Sequence, residues 1–454
     1  MTPERFAKGL TFYGYLVAAL LFAAPAFPQT ASERVAEPVF GGHVMLYRAG
    51  PADAEPVVLI HGLGQNGAKD WDKLIPALSP RYQVLALDLP GFGQSDKGNE
   101  LYSPMNFARV IESVIGSRVS RPFVLVGHSM GGAVAIAYAS RYPERVRRLV
   151  AVDAAGILHR AVSAQSLSRP VTEAAGGKAP AEPPWFDTFI QSVLTRVEPL
   201  PGAGRMFLQV PTLRMQVLRG DPTAIAAYAL IDHDFSRDLR EVRAPTLAIW
   251  GTEDKVAPLR TGQVVAAAIP GARLARLEGL AHTPMLEAPE RFNALLADEL
   301  DGKLGQEPFA LPRGEPGTRA VVCDGGRSQV FTGDFGELTL NKCADARITS
   351  ARIGRLTLRD SSVRIANSHI YDGLEARNSR VEITAGLIGG NPPLVLEVSN
   401  VDAAGTRFET SGPLAHNRGR VSVALSLSVA EIGPAGGATR ALHRVVRLSP
   451  DRRW

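Results

Sequence analysis

The run Phe123-Val124-Leu125-Val126-Gly127-His128-Ser129-Met130-Gly131-Gly132, followed by the small-residue stretch Ala133 to Ala139, decides how this chain of 454 residues folds. Phe123 to Val126 is apolar and contains two β-branched valines, the composition of a buried strand, and the alanine-rich stretch reads as a tightly packed helix. Between them, a Gly-x-Ser-x-Gly turn leaves Ser129 strained and exposed at the carboxyl end of the strand. Positions 127 and 131 are glycine because a Cβ there would collide with the neighbouring strand and helix. Ser129 is the candidate nucleophile.

Upstream, Gly42 to Tyr47 and Val57 to Ile60 read as strands, and the second runs straight into His61-Gly62-Leu63-Gly64-Gln65-Asn66. Glycines directly after a buried strand let the backbone turn with its N–H groups facing an open space. That is the geometry of an oxyanion hole, with one donor from the backbone N–H of Leu63 and the other from Met130; an ordinary glycine turn is the alternative. Val84 to Leu87 is a further strand, ending in Asp88 and a Pro/Gly-rich turn. Because Asp88 precedes the nucleophile, it is assigned to holding that turn by hydrogen bonds to the backbone. Neighbours on a tight turn point in different directions, so His128 is read as packing or pocket wall, not as the base.

Downstream, Leu149 to Val152 is another strand, ending in Asp153, and strands alternating with helical stretches mean a parallel sheet covered on both faces. The alternation breaks over 156–242, where Phe186, Phe189, Ile190, Val193, Leu194 and Val197 fall on one helical face. Such an insertion predicts a helical cap over the carboxyl ends of the strands, where open α/β sheets bind ligands; a mere thickening of the core is the alternative. The sheet resumes at Thr246 to Trp250, followed by Asp254, and at Ala272 to Leu277, followed by His282. Both residues then reach the sheet edge that carries Ser129, and the order Ser, Asp, His completes a triad. A serine hydroxyl needs a base to take its proton as it attacks a carbonyl. His282 is that base, and Asp254 fixes its tautomer, with Glu253 and Asp153 as rival acids.

With these residues in place, 40–300 resembles the α/β-hydrolase superfamily, within a domain expected over 39–300. The motifs that carry the resemblance are His61-Gly62-Leu63-Gly64, Asp88-Leu89-Pro90-Gly91-Phe92-Gly93, Gly127-His128-Ser129-Met130-Gly131-Gly132, Trp250-Gly251-Thr252-Glu253-Asp254 and Ala281-His282-Thr283-Pro284. It implies an α/β fold with a mostly parallel eight-stranded sheet, a helical lid over a small-molecule acyl substrate, and no cofactor or metal. It also implies hydrolysis of esters, amides or carbon–carbon bonds. Serine at 129 argues against the dehalogenase and epoxide hydrolase branches, which carry Asp there. The expected activity is that of a carboxylic ester hydrolase, with acyl transfer or ligand binding without catalysis as the rivals.

Outside that region the chain has a different character. Arg5 and Lys8 precede an uncharged apolar run from Gly9 to Phe27 with Ala24-Pro25-Ala26 at its end, so 1–27 reads as a signal peptide of an exported, periplasmic or extracellular protein, or as an uncleaved membrane anchor. Residues 28–38 read as a polar spacer and 301–317, rich in Pro and Gly, as a linker. Over 318–454, Leu338-Thr339-Leu340, Leu356-Thr357-Leu358 and Leu374-Glu375-Ala376 recur at a fixed period, with Ile348, Ile365 and Ile383 as second apolar positions. This predicts a small parallel β-solenoid extended through Leu396, Val398 and Phe408, with an antiparallel sandwich as the alternative. Its role is open between binding an envelope component or partner chain and simple stabilisation. Cys323 and Cys343 form a disulfide in an exported chain, or remain two buried thiols. A net charge of +5, spread along the chain, argues for a solvated surface and against a nucleic-acid site.

Overall fold

The computed structural model describes residues 30–158, 207–305, 307–433 and 438–448. Eight strands, β1 (Ala31–Glu37), β2 (Gly42–Ala49), β3 (Pro56–Ile60), β4 (Gln83–Asp88), β5 (Phe123–His128), β6 (Val146–Val152), β7 (Thr246–Gly251) and β8 (Arg273–Leu277), form one sheet in the order β1-β2-β4-β3-β5-β6-β7-β8. β1–β2 and β2–β4 are antiparallel and the other neighbours are parallel. β3, β5 and β7 are buried at every position, as expected of strands covered on both faces.

The segment read as a spacer is in fact the edge strand β1. Val35 and Glu37 alternate inward, and the buried Glu37 carboxylate accepts the N–H groups of Val39, Phe40 and Gly42, closing the turn into β2. Its register was hidden because only two of its seven residues are buried. The sheet therefore begins upstream of 39.

The helix Met130–Arg141 is buried from Met130 to Ala139, which an all-round small apolar sequence permits. It lies so close to the chain after β6 that a Cβ on Gly132 would sit 2.8 Å from the Ala154 Cβ. Of the predicted cap, the described part holds the helices Pro211–Leu218, Pro222–Asp232 and Ser236–Glu241. The second packs over the strand ends, with Leu230 against Gly156 and Thr223 Oγ1 accepting from Gln65 Nε2 at 3.2 Å. The amphipathic set from Phe186 to Val197 and the segment 1–27 lie outside the described residues. Among the described residues no helix is long and apolar enough to cross a membrane.

Between the helix ending at Leu300 and the strand starting at Ala320, the described chain carries neither helix nor strand. Beyond it the structure is β-rich, and buried side chains stand in parallel columns. One runs through Leu338, Leu356, Leu374 and Leu394, a second through Ile348, Ile365, Ile383 and Ala403, and a third through Ile353, Ile370, Ile388, Phe408 and Ala430. The strand Ala346–Arg359 joins all three, so the pairing path closes on itself. Among the described residues of this region only the last pair, Val421–Ile432 with Ala438–Leu448, is antiparallel, which disposes of the sandwich.

At one corner Lys342, Asp360, Asn378 and Val398 all take positive φ, and the next residue points inward. There Ser361, Ser379 and Ser399 hydroxyls accept the N–H of Cys343, Ser361 and Ser379 in turn, at 3.0 to 3.1 Å. Buried backbone donors that a corner would orphan are thus satisfied. Val398, read as a core position, is instead 58% exposed on this turn. Cys323 and Cys343 are disulfide-bonded at the start of this region.

The two regions meet along the helix Leu259–Ala268. Arg260 on it grips Asp402 with both guanidinium nitrogens, at 2.7 and 3.3 Å, with Glu382 at 3.6 Å. Ala404, Ala424 and Leu427 join the core of the first region.

Candidate active site

β5 ends at His128, and Ser129 turns the chain at φ 52° and ψ −120°, a conformation that costs a non-glycine residue about 1–3 kcal/mol. The turn is held from outside: Ser129 N–H donates to Val152 O at 2.9 Å, and Ser129 O accepts from Ala155 N–H at 3.2 Å. A Cβ at Gly127 would lie 2.1 Å from Gly131 O, and one at Gly131 would lie 2.3 Å from Ile60 O. These glycines let strand, turn and helix occupy the same few ångströms, as the sequence motif implied.

β7 delivers Asp254 and β8 delivers His282 to the same edge. His282 Nε2 is 2.9 Å from Ser129 Oγ, and its Nδ1 is 2.8 Å from Asp254 Oδ2. The other Asp254 oxygen accepts the N–H groups of Val256 and Ala257 at 2.8 and 2.9 Å. All three residues are buried. A hydroxyl, an imidazole and a carboxylate in this chain can pass a proton from Oγ to the ring and stabilise the resulting imidazolium. The rival Glu253 is exposed. Asp153 is buried and accepts Gly251 N–H at 2.9 Å; burial, reinforced by the Asp254 charge, pushes its carboxyl well above the usual range.

Leu63 and Met130 flank the nucleophile. A Cβ on Gly62 would lie 3.2 Å from the Ser129 Cβ, so the loop carrying Leu63 passes directly against the serine. Met130 opens its helix, where an N–H has no intrahelical acceptor and is free to face an anion. Gly62 N–H donates to Asp70 at 3.2 Å, tethering that loop. Asp88 accepts from Ala68 and Gln94 N–H at 2.6 and 2.8 Å, the structural role read from its position.

Sequence reasoning missed Glu287, whose carboxylate accepts the N–H groups of Ala281 and Thr283, on either side of His282, at 2.7 and 2.8 Å. The available signal was an acid in the first turn of the helix opened by Pro284. A cleft of about 810 Å³ between the two regions, lined by Leu239, Tyr371 and Arg407 among others, includes none of the triad residues.

The family model for the alpha/beta hydrolase fold matches residues 55–289. An uncharacterised protein of Mycobacterium tuberculosis is 30% identical over 314 residues, covering 66% of this chain and 86% of its own length. A pimeloyl-[acyl-carrier protein] methyl ester esterase of Neisseria meningitidis is 29% identical, covering 56% and 96%. A membrane phospholipase A of known crystal structure is 24% identical with a TM-score of 0.45, over 60% and 86% of the two chains. With a strand-turn-helix nucleophile loop, a mostly parallel sheet and a family match spanning more than half its length, the chain belongs to the α/β-hydrolase family.

Proposed function

We propose that the protein is an exported serine hydrolase that cleaves a carboxylic ester through an acyl-enzyme. The observation that carries the reading is the continuous line Ser129 Oγ, His282, Asp254, with contacts of 2.9 and 2.8 Å. In the proposed cycle His282 Nε2 takes the hydroxyl proton as Oγ attacks the acyl carbon, then gives it to the leaving alkoxide. Water, deprotonated by the same nitrogen, releases the acid. The Leu63 and Met130 N–H groups hold the developing oxyanion, worth roughly 10²- to 10³-fold in rate each. An ester suits this apparatus because its alcohol is an easier leaving group than an amine, and the relative named as a methyl ester esterase supports that choice.

Ser129→Ala tests the reading. Turnover of p-nitrophenyl esters and labelling by a fluorophosphonate should both vanish while the thermal melt stays nearly unchanged; wild-type turnover in the variant would overturn it. A panel of esters, amides and vinylogous diketones then separates ester cleavage from amide or carbon–carbon cleavage. Export rests on the charge and apolar pattern of 1–27, and the N-terminal residue of the mature protein tests it. The C-terminal columns, each rising one strand per repeat, support reading that region as a short parallel β-solenoid.

A further inference from the structure

We propose that His128, the residue before the nucleophile, is a positioning residue that fixes the backbone carrying the base; the inference rests on the serine-hydrolase reading above. Its Nε2 lies 2.7 Å from the carbonyl oxygen of His282. A carbonyl only accepts, so Nε2 carries the hydrogen, and in the neutral ring Nδ1 is left with a lone pair. Nδ1 is buried, with no hydrogen-bond partner among the described residues, and Asp70 Oδ2 stands 4.0 Å away. Burial, with the adjoining His282 as a second cause, pushes the His128 imidazole down to about 3, so the donor tautomer persists across the working pH range.

The ring also packs against His282 and the loop that carries Leu63. His128 is the last residue of β5 and leads into Ser129. A Cβ on Gly62, in the oxyanion loop, would meet its Nδ1 at 2.8 Å. Its ring centroid is 5.0 Å from that of His282 and 6.4 Å from Trp71, which meets it edge-on at 87°. Glu287 holds the N–H groups on either side of residue 282, and His128 adds a bond to the carbonyl of 282 itself. The base is thereby held at three consecutive residues. A packing role alone would be served by an apolar side chain of the same size. The buried carbonyl demands a donor.

The test compares His128→Gln, which keeps a side-chain N–H donor, with His128→Leu, which keeps bulk alone. In p-nitrophenyl ester hydrolysis, His128→Leu should lower kcat about 10- to 100-fold with KM within about twofold, since a base displaced by an ångström loses up to about 10² in rate. The fluorophosphonate labelling rate should fall in parallel, and His128→Gln should restore most of both. Equal losses in the two variants, or wild-type kcat in a folded His128→Leu, would overturn the proposal. If His128→Leu melts early, the Gln variant decides alone: a folded His128→Gln with kcat down by 10-fold or more overturns it. Wild-type protein that hydrolyses no ester and takes no Ser129-dependent label would sink the serine-hydrolase reading, and this inference with it.

Discussion

Both halves of this molecule stack parallel strands around an apolar core, but they join those strands differently. In the hydrolase region each parallel connection includes a helix, so every strand ends in a loop whose sequence is independent of its neighbours. Three such loops carry Ser129, Asp254 and His282 to one edge. In the C-terminal region the connections are tight corners, and each side chain stands on a counterpart from the next repeat. Long crossovers leave loop ends free to diverge into chemistry. Tight corners commit nearly every position to the stack.

Breaking the site and breaking the stack should therefore give opposite signatures. The largest effect belongs to His282→Ala, expected to lower kcat/KM about 10⁴-fold or more with little change in the denaturation midpoint. A lesser loss would show that another group serves as base. Leu356→Ala, in the centre of a buried column, should cost about 2–5 kcal/mol in urea unfolding while the folded protein keeps its kcat. A fall in kcat there would mean that the two regions are not separable. Asp402→Asn weakens the grip of Arg260 but leaves Glu382 beside it, so a loss of about 1–2 kcal/mol is expected in the same assay.

The smallest effect concerns Asp153. Burial and the Asp254 charge raise its folded carboxyl above the unfolded value of about 4, so this group erodes stability as pH rises from there. Asp153→Asn removes that dependence. Relative to wild type it should gain stability as pH rises above about 4, with activity retained. An unchanged slope of stability against pH in the variant would show that Asp153 is not the group responsible.

The two regions also differed in how far their sequences could be read. The meeting of Ser129, Asp254 and His282 was legible because a proton relay demands particular residue types at strand ends and the strands themselves are unbroken apolar runs. β1 was not, since an edge strand with two inward residues has too little pattern to distinguish it from a loop. In the C-terminal region the repeat was clear only while its step stayed constant. The serine-to-backbone bonds that mark successive repeats span 18 residues at Ser361 to Ser379, then 20 at Ser379 to Ser399, and 22 at Thr406 to Ser428. A lengthening period hides from a fixed-interval search, and extra residues such as Asn391-Pro392-Pro393 enter at the corners, where they disturb no column. Glu287 and His128 escaped for another reason: both act on backbone groups, which leave no trace in side-chain spacing.

Arg260 lies only six positions beyond Asp254, and the turn between them is pinned by Asp254 itself. The residues that seat the accessory region are thus continuous with those that seat the triad acid. Removing the second region would take Asp402 and Glu382 away from the Arg260 guanidinium, six positions along the chain from the Asp254 carboxylate.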